Sequence, residues 1–93
     1  MKLLENKVAI ITGGSRGIGE AIVLKYAEQG CHVAFTYISD SSAERSNALA
    51  GKCIAMGVKA KAYKSNAGIF ADCEAFVAEV VKDFGTVDIC VNN

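Results

Sequence analysis

The segment Thr12-Gly13-Gly14-Ser15-Arg16-Gly17-Ile18-Gly19 follows directly on the apolar run Val8-Ala9-Ile10-Ile11. Glycines placed where a strand hands over to a helix suit a phosphate. The first turn of a helix has backbone N–H groups without intrahelical partners and carries a partial positive charge. Gly13, Gly17 and Gly19 lack the side chains that would hold a diphosphate away. Spacing separates the phosphate-binding patterns. A P-loop needs Lys and then Ser or Thr after its last glycine, whereas Gly14 and Gly19 have that gap but are followed by Glu20, which repels a β/γ-phosphate. The strict G-x-G-x-x-G fingerprint fails as well, because Ile22 stands at its third glycine. What remains is T-G-x-x-x-G-I-G.

Other reactive side chains lack the company that chemistry requires. His32 has no serine, cysteine or acid at triad or metal spacing and reads as a surface or strand-start histidine. Glu74, Glu79 and Asp83 alternate with Phe76, Val77 and Val80 and read as the wet face of a helix. Cys31, Cys53, Cys73 and Cys90 form no C-x-x-C pair, so neither a zinc site nor a redox motif is expected, and the thiols read as reduced and mostly packed.

The elements that must position the glycine loop alternate in type. Residues 7–12 form a β-branched strand, and 17–29 carry apolar residues at helical spacing up to Gly30. A second strand runs from His32 to Tyr37. Ser41 and Glu44 stand at capping-box spacing for a second helix that begins near Ser42 and ends at Gly57. Val58 to Lys64 alternates with period two, which predicts a strand near a sheet edge with its polar face, including Tyr63, outward. The clearest amphipathic helix is 70–84, with Cys73, Phe76, Val77, Val80, Val81 and Phe84 on one side, and 86–91 is a fourth strand. Strands alternating with helices predict right-handed parallel crossovers and hence a doubly wound α/β sheet.

At 93 residues, with 52% hydrophobic residues and ten basic against ten acidic side chains, the chain is expected to form a single domain over 1–93. The balanced, scattered charge offers no field for nucleic acid or anionic lipid. No run approaches the ~20 apolar residues of a membrane span, and residues 1–7 lack the apolar core of a signal peptide, so a cytoplasmic protein is expected.

Thr12 to Gly19 resembles the cofactor loop of the short-chain dehydrogenases/reductases, and Val87-Asp88-Ile89-Cys90-Val91-Asn92-Asn93 resembles the strand leading into that family's N-N-A-G motif. The similarity extends along the whole chain and, within the family, is greatest to the bacterial 3-oxoacyl-carrier-protein reductases. It implies the N-terminal βαβαβαβ part of a Rossmann-type sheet, with strand order 3-2-1-4. Gly13, Gly17 and Gly19 would then form the diphosphate turn, with Ile18 near the cofactor and Thr12 supporting the loop. Asn66 and Ala67 stand where the family usually has Asp-Val beside the adenine, and the Asn66 carbonyl is expected on the adenine amino group. Asn92 is expected to hold the loop on the adenosine side.

An NAD-preferring site of this kind carries an acid at the end of the second strand, which would repel a 2′-phosphate. Tyr37, Ile38 and Ser39 stand there instead, and Arg16 precedes Gly17 where a guanidinium suits that phosphate, with Ser15 and Ser39 adding hydroxyls. NADPH is the expected cofactor. The rival arrangement brings Asp40 back to the ribose of NADH.

The resemblance further implies a 3-oxoacyl thioester of acyl-carrier protein as substrate and a homotetramer for the intact enzyme. Other readings are a reductase of a sugar, steroid or quinone, or a nucleotide-binding module without chemistry. The family's catalytic tyrosine needs a lysine four residues on, but Tyr26, Tyr37 and Tyr63 are followed there by Gly30, Ser41 and Ala67. The active-site asparagine, serine, tyrosine and lysine of the family all follow its N-N-A-G motif, so no catalytic residue is expected within 1–93. That part of the enzyme alone is expected to be inactive. The strand 87–91 is expected to present an apolar edge.

Overall fold

The computed structural model describes residues 3–14 and 17–93. Strands β1 (Val8–Ile11), β2 (His32–Tyr37), β3 (Ala60–Lys64) and β4 (Ile89–Val91) alternate with helices α1 (Gly17–Glu28), α2 (Ala43–Ala55) and α3 (Phe70–Phe84). All pairings are parallel, and the order is β3-β2-β1-β4, as the alternation and the resemblance imply. The register sets Ile11 beside Phe35 on one side and Val91 on the other, so the C-terminal ends of three strands finish together.

Both faces of the inner strands are covered. On one, Ile11, Val33 and Phe35 pack against Val23 and Ala27 of α1 and Leu49, Ala50 and Cys53 of α2. On the other, Val8, Ile10, Ala34 and Tyr63 meet Phe76 and Val80 of α3. A strand buried on both faces has no polar side to alternate, which is why β1 reads as an unbroken apolar run. Asp88 stitches β4 to the start of β1: its N–H donates to the Val8 carbonyl at 2.8 Å, and its carboxylate accepts the Val8 N–H at 2.9 Å.

Several local expectations change. No capping box forms at α2, where the Ser42 cap makes no side-chain bond to the helix. The serine hydroxyls bond to one another instead, Ser39 to Ser41 at 2.8 Å and to Ser42 at 3.2 Å, across a short 3₁₀ turn over Asp40–Ser42. Tyr63 does not face solvent. It is buried edge-on against Phe76, with ring centroids 5.3 Å apart, because α3 covers that face of β3 even at the sheet edge. α3 buries Phe76 and Val80 but leaves Val77 and Val81 exposed, since a single helix on the sheet cannot bury both flanks of so wide an apolar stripe. His32 ties β2 to the start of β3, its Nδ1 accepting the Lys59 N–H at 3.0 Å.

Of the four thiols, Cys31 and Cys53 are buried, Cys73 is half-buried and Cys90 is exposed, so only two are fully packed. Burial pushes the Cys31 thiol up to about 11, which keeps it protonated and unreactive. Among the described residues, no helix is long and apolar enough to cross a membrane, and no group of His, Cys, Asp and Glu is arranged to hold a metal ion.

Asp83 is not simply a solvated acid. Its carboxylate accepts the Tyr63 hydroxyl at 2.6 Å and pairs with the Lys61 ammonium at 3.0 Å, tying the end of α3 to β3. The Tyr63 hydrogen bond first, and then Lys61, hold the Asp83 carboxyl below its ordinary range. A carboxyl with a folded pKa below its unfolded one stabilises the fold above the unfolded value, and that contribution is lost as pH falls through the folded value. Asp83→Asn is therefore expected to unfold at lower temperature than the wild type at pH 7, with the gap shrinking below about pH 4. A gap independent of pH in thermal melts would contradict this.

Candidate functional site

The glycine loop leaves the C-terminal end of β1 and is anchored from both flanking strands. From β2, the Thr36 hydroxyl oxygen accepts the Gly13 N–H at 2.9 Å, and the Thr36 carbonyl accepts the Gly14 N–H at 3.1 Å. From the end of β4, the Val91 carbonyl accepts the Thr12 N–H at 3.1 Å. Asn93 donates its backbone N–H to the Thr12 hydroxyl and its side-chain amide to the Gly13 carbonyl, both at 3.1 Å. Thr12 is thus tied to both Val91 and Asn93, and the asparagine bonded to the loop is Asn93 rather than Asn92. The parallel register stops β4 at Val91, and the second residue beyond is the one that reaches across to Thr12 and Gly13.

The glycines differ in what requires them. Gly13 and Gly17 sit at φ of +66° and +61°, where side chains are strained. Gly14 and Gly19 are required by space. A Cβ on Gly14 would lie 2.7 Å from Phe35 Cβ and 2.9 Å from Val23 Cγ2, and one on Gly19 would fall on the Gly13 carbonyl oxygen. Because the Gly13 and Gly14 amides point into the fold, the donors that the described residues can present outward belong to the first turn of α1, at Gly17, Ile18 and Gly19. Ile18 itself is exposed beside them. These features suit a diphosphate at the start of α1: bare glycine backbone, helix amides without intrahelical partners, and a side chain already turned to solvent. Ser15 and Arg16 lie outside the described residues.

The other expected positions gather at the same end of the sheet. Tyr37 closes β2, half-buried, opposite Lys64 in β3. Ser39 follows, its hydroxyl shared among the serines of the turn. Asn66 and Ala67 leave β3 in a turn in which the Asn66 side-chain carbonyl accepts the Gly68 N–H at 2.9 Å. The carbonyl expected to meet an adenine thus holds the turn with one of its two lone pairs. Asp72 of α3 fixes the same turn by accepting the Asn66 N–H at 3.2 Å. Asp40 is held at Lys64, the register partner of Tyr37 at the end of β2. Its carboxylate pairs with the Lys64 ammonium at 2.7 Å, and this contact raises the Lys64 pKa.

Sequence reading missed Thr36, Asn93 and Gly14. Thr36 carried a signal, being a hydroxyl residue at the end of the otherwise apolar core segment Val33–Phe35. The doubled asparagine did not indicate which member turns inward, and Gly14 became meaningful only once Phe35 was placed beneath it.

A parallel sheet in this order, with a glycine-rich turn between its central strand and the first helix, defines a Rossmann-type nucleotide-binding domain. The chain belongs to the short chain dehydrogenase family, whose pattern matches residues 7–93. It is 40% identical over 88 residues to a 3-oxoacyl-[acyl-carrier-protein] reductase of Staphylococcus epidermidis, covering 95% of this chain and 35% of that protein. It is also 43% identical over 90 residues to a sorbose reductase of Candida albicans, covering 97% of this chain and 31% of the relative. Among solved structures, a blue fluorescent protein from a metagenomic library, in complex with NADPH, superposes with a TM-score of 0.93 at 42% identity, over 97% of this chain and 36% of that one. The chain spans about a third of the length of the curated relatives it matches.

Steric demand at the loop predicts opposite outcomes for two glycine substitutions. Gly51 of α2 has nothing within 4 Å of an added Cβ, so Gly51→Ala is expected to stabilise the chain by about 0.5–1 kcal/mol through helix propensity. Gly19→Ala drives a methyl group into the Gly13 carbonyl and is expected to destabilise it by about 1–3 kcal/mol, as overpacking does. Urea unfolding of both variants checks this, and equal effects would refute the steric role of Gly19.

Proposed function

We propose that residues 1–93 are the cofactor-binding part of an NADPH-dependent short-chain reductase acting on a 3-oxoacyl thioester of acyl-carrier protein. The observation that carries the cofactor choice is the lack of a free carboxylate at the end of β2. Tyr37, Ile38 and Ser39 occupy that stretch, and the nearby Asp40 is paired with Lys64. A 2′-phosphate approaching there meets no carboxylate within β2 or at Ile38 and Ser39, and Arg16 precedes the first turn of α1. Bound, the cofactor supplies the hydride; the loop, the Asn66 turn and the end of β2 bind and orient it. The substrate reading is supported by the staphylococcal relative. The identity to a sorbose reductase is just as high and favours a ketose as the second reading. The intact protein is proposed to be a cytoplasmic homotetramer.

Fluorescence titration tests the cofactor. The chain is expected to bind NADPH at least tenfold more tightly than NADH, and Arg16→Ala to remove most of that preference, a charged hydrogen bond being worth about 1.5–3 kcal/mol. Lys64→Ala, which uncovers Asp40, is expected to weaken NADPH by no more than about fivefold, as for an exposed pair. Equal affinity for the two cofactors, unchanged by Arg16→Ala, would defeat the reading.

The substrate is tested on an intact protein carrying these residues, following NADPH oxidation with a 3-oxoacyl thioester and with sorbose side by side. Faster turnover of the thioester is expected, and preference for the sugar would replace the first reading with the second. The 93-residue chain alone is expected to reduce neither.

A further inference from the structure

Thr36 is 2% exposed at the end of a strand whose preceding residues, Val33, Ala34 and Phe35, are all fully buried. A hydroxyl in such surroundings needs hydrogen bonds, and a valine of the same shape would pack there without them. What engages Thr36 is the glycine loop. Its Oγ1 accepts the Gly13 N–H and its carbonyl accepts the Gly14 N–H, so one residue takes two successive loop amides. Gly13 adopts a positive φ there, and its carbonyl turns the other way, to the Asn93 amide.

We propose that Thr36 is a positioning residue for the cofactor loop. By drawing the Gly13 and Gly14 amides inward, it selects the backbone conformation in which Gly13 packs against Gly19 at the start of α1 and the first-turn amides stay open to a diphosphate. Thr36 touches no cofactor atom and acts through Gly13. The cofactor consequence rests on the NADPH reading above, while the selection of the loop conformation does not.

Two measurements on the 93-residue chain separate these. In amide hydrogen exchange, Thr36→Val is expected to speed exchange at Gly13 at least tenfold while the amides paired between β1 and β2 keep their protection, and Thr36→Ser is expected to restore Gly13. In titrations with NADPH, Thr36→Val is expected to bind about tenfold more weakly and Thr36→Ser within about twofold of the wild type. Should Thr36→Val fail to fold, Thr36→Ala takes its place with the same expectations. Unchanged exchange at Gly13 in a folded hydroxyl-free variant overturns the proposal, as does a loss in Thr36→Ser equal to that in Thr36→Val. If Gly13 responds as expected but the wild type binds no NADPH, the loop role stands and the cofactor reading fails.

Discussion

In-register parallel pairing on both sides of β1 is the constraint from which the loop's anchoring follows. A parallel strand can only be reached by a crossover, so the helices are forced onto the two faces and the strand ends are forced to one edge. Because β2 and β4 flank β1 with matched register, the residues just past Phe35 and Val91, the partners of Ile11, stand on either side of the chain leaving Ile11. Thr36 and Asn93 are thereby set to grip the loop at Thr12, Gly13 and Gly14. The packing serves the same end: Val23 and Phe35 press from beneath, and Gly14 is the residue that lets the loop lie on them.

Much of this architecture was legible because each element satisfies its local rules and the global ones together. β1 and β2 are apolar runs bounded by turn residues, and α1, α2 and α3 have the length and periodicity of crossover helices. Errors occurred where tertiary context outweighed a local pattern. Tyr63 stood in an alternation that reads as outward, yet a face covered by α3 buries it and engages its hydroxyl on Asp83. Ser41 and Glu44 had the spacing of a capping box, but three neighbouring hydroxyls preferred one another.

The site was legible in location and less so in its division of labour. Glycine spacing points to a phosphate at the start of α1, but it does not reveal that the Gly13 and Gly14 amides are consumed internally. Nor does the sequence reveal that the Asn66 side-chain carbonyl accepts the Gly68 N–H, or that Asp40 pairs with Lys64. These are short polar contacts between residues brought together by strand register, and no period or motif encodes them.

The anchors of the loop come from distant parts of the chain. Asn93 reaches Thr12 and Gly13 across separations of 81 and 80 residues, and Asp88 meets Val8 across 80. Contacts of such long range form late, because the entropy of closing the intervening loop has to be overcome before they stabilise anything. Helices and the β1–β2 pair can form from nearer neighbours, but the glycine turn gains its final support only when β4 docks. The part of the molecule shaped to receive a ligand is thus also the part that reports completed folding, since an intermediate lacking β4 would retain most of its core and no finished cradle.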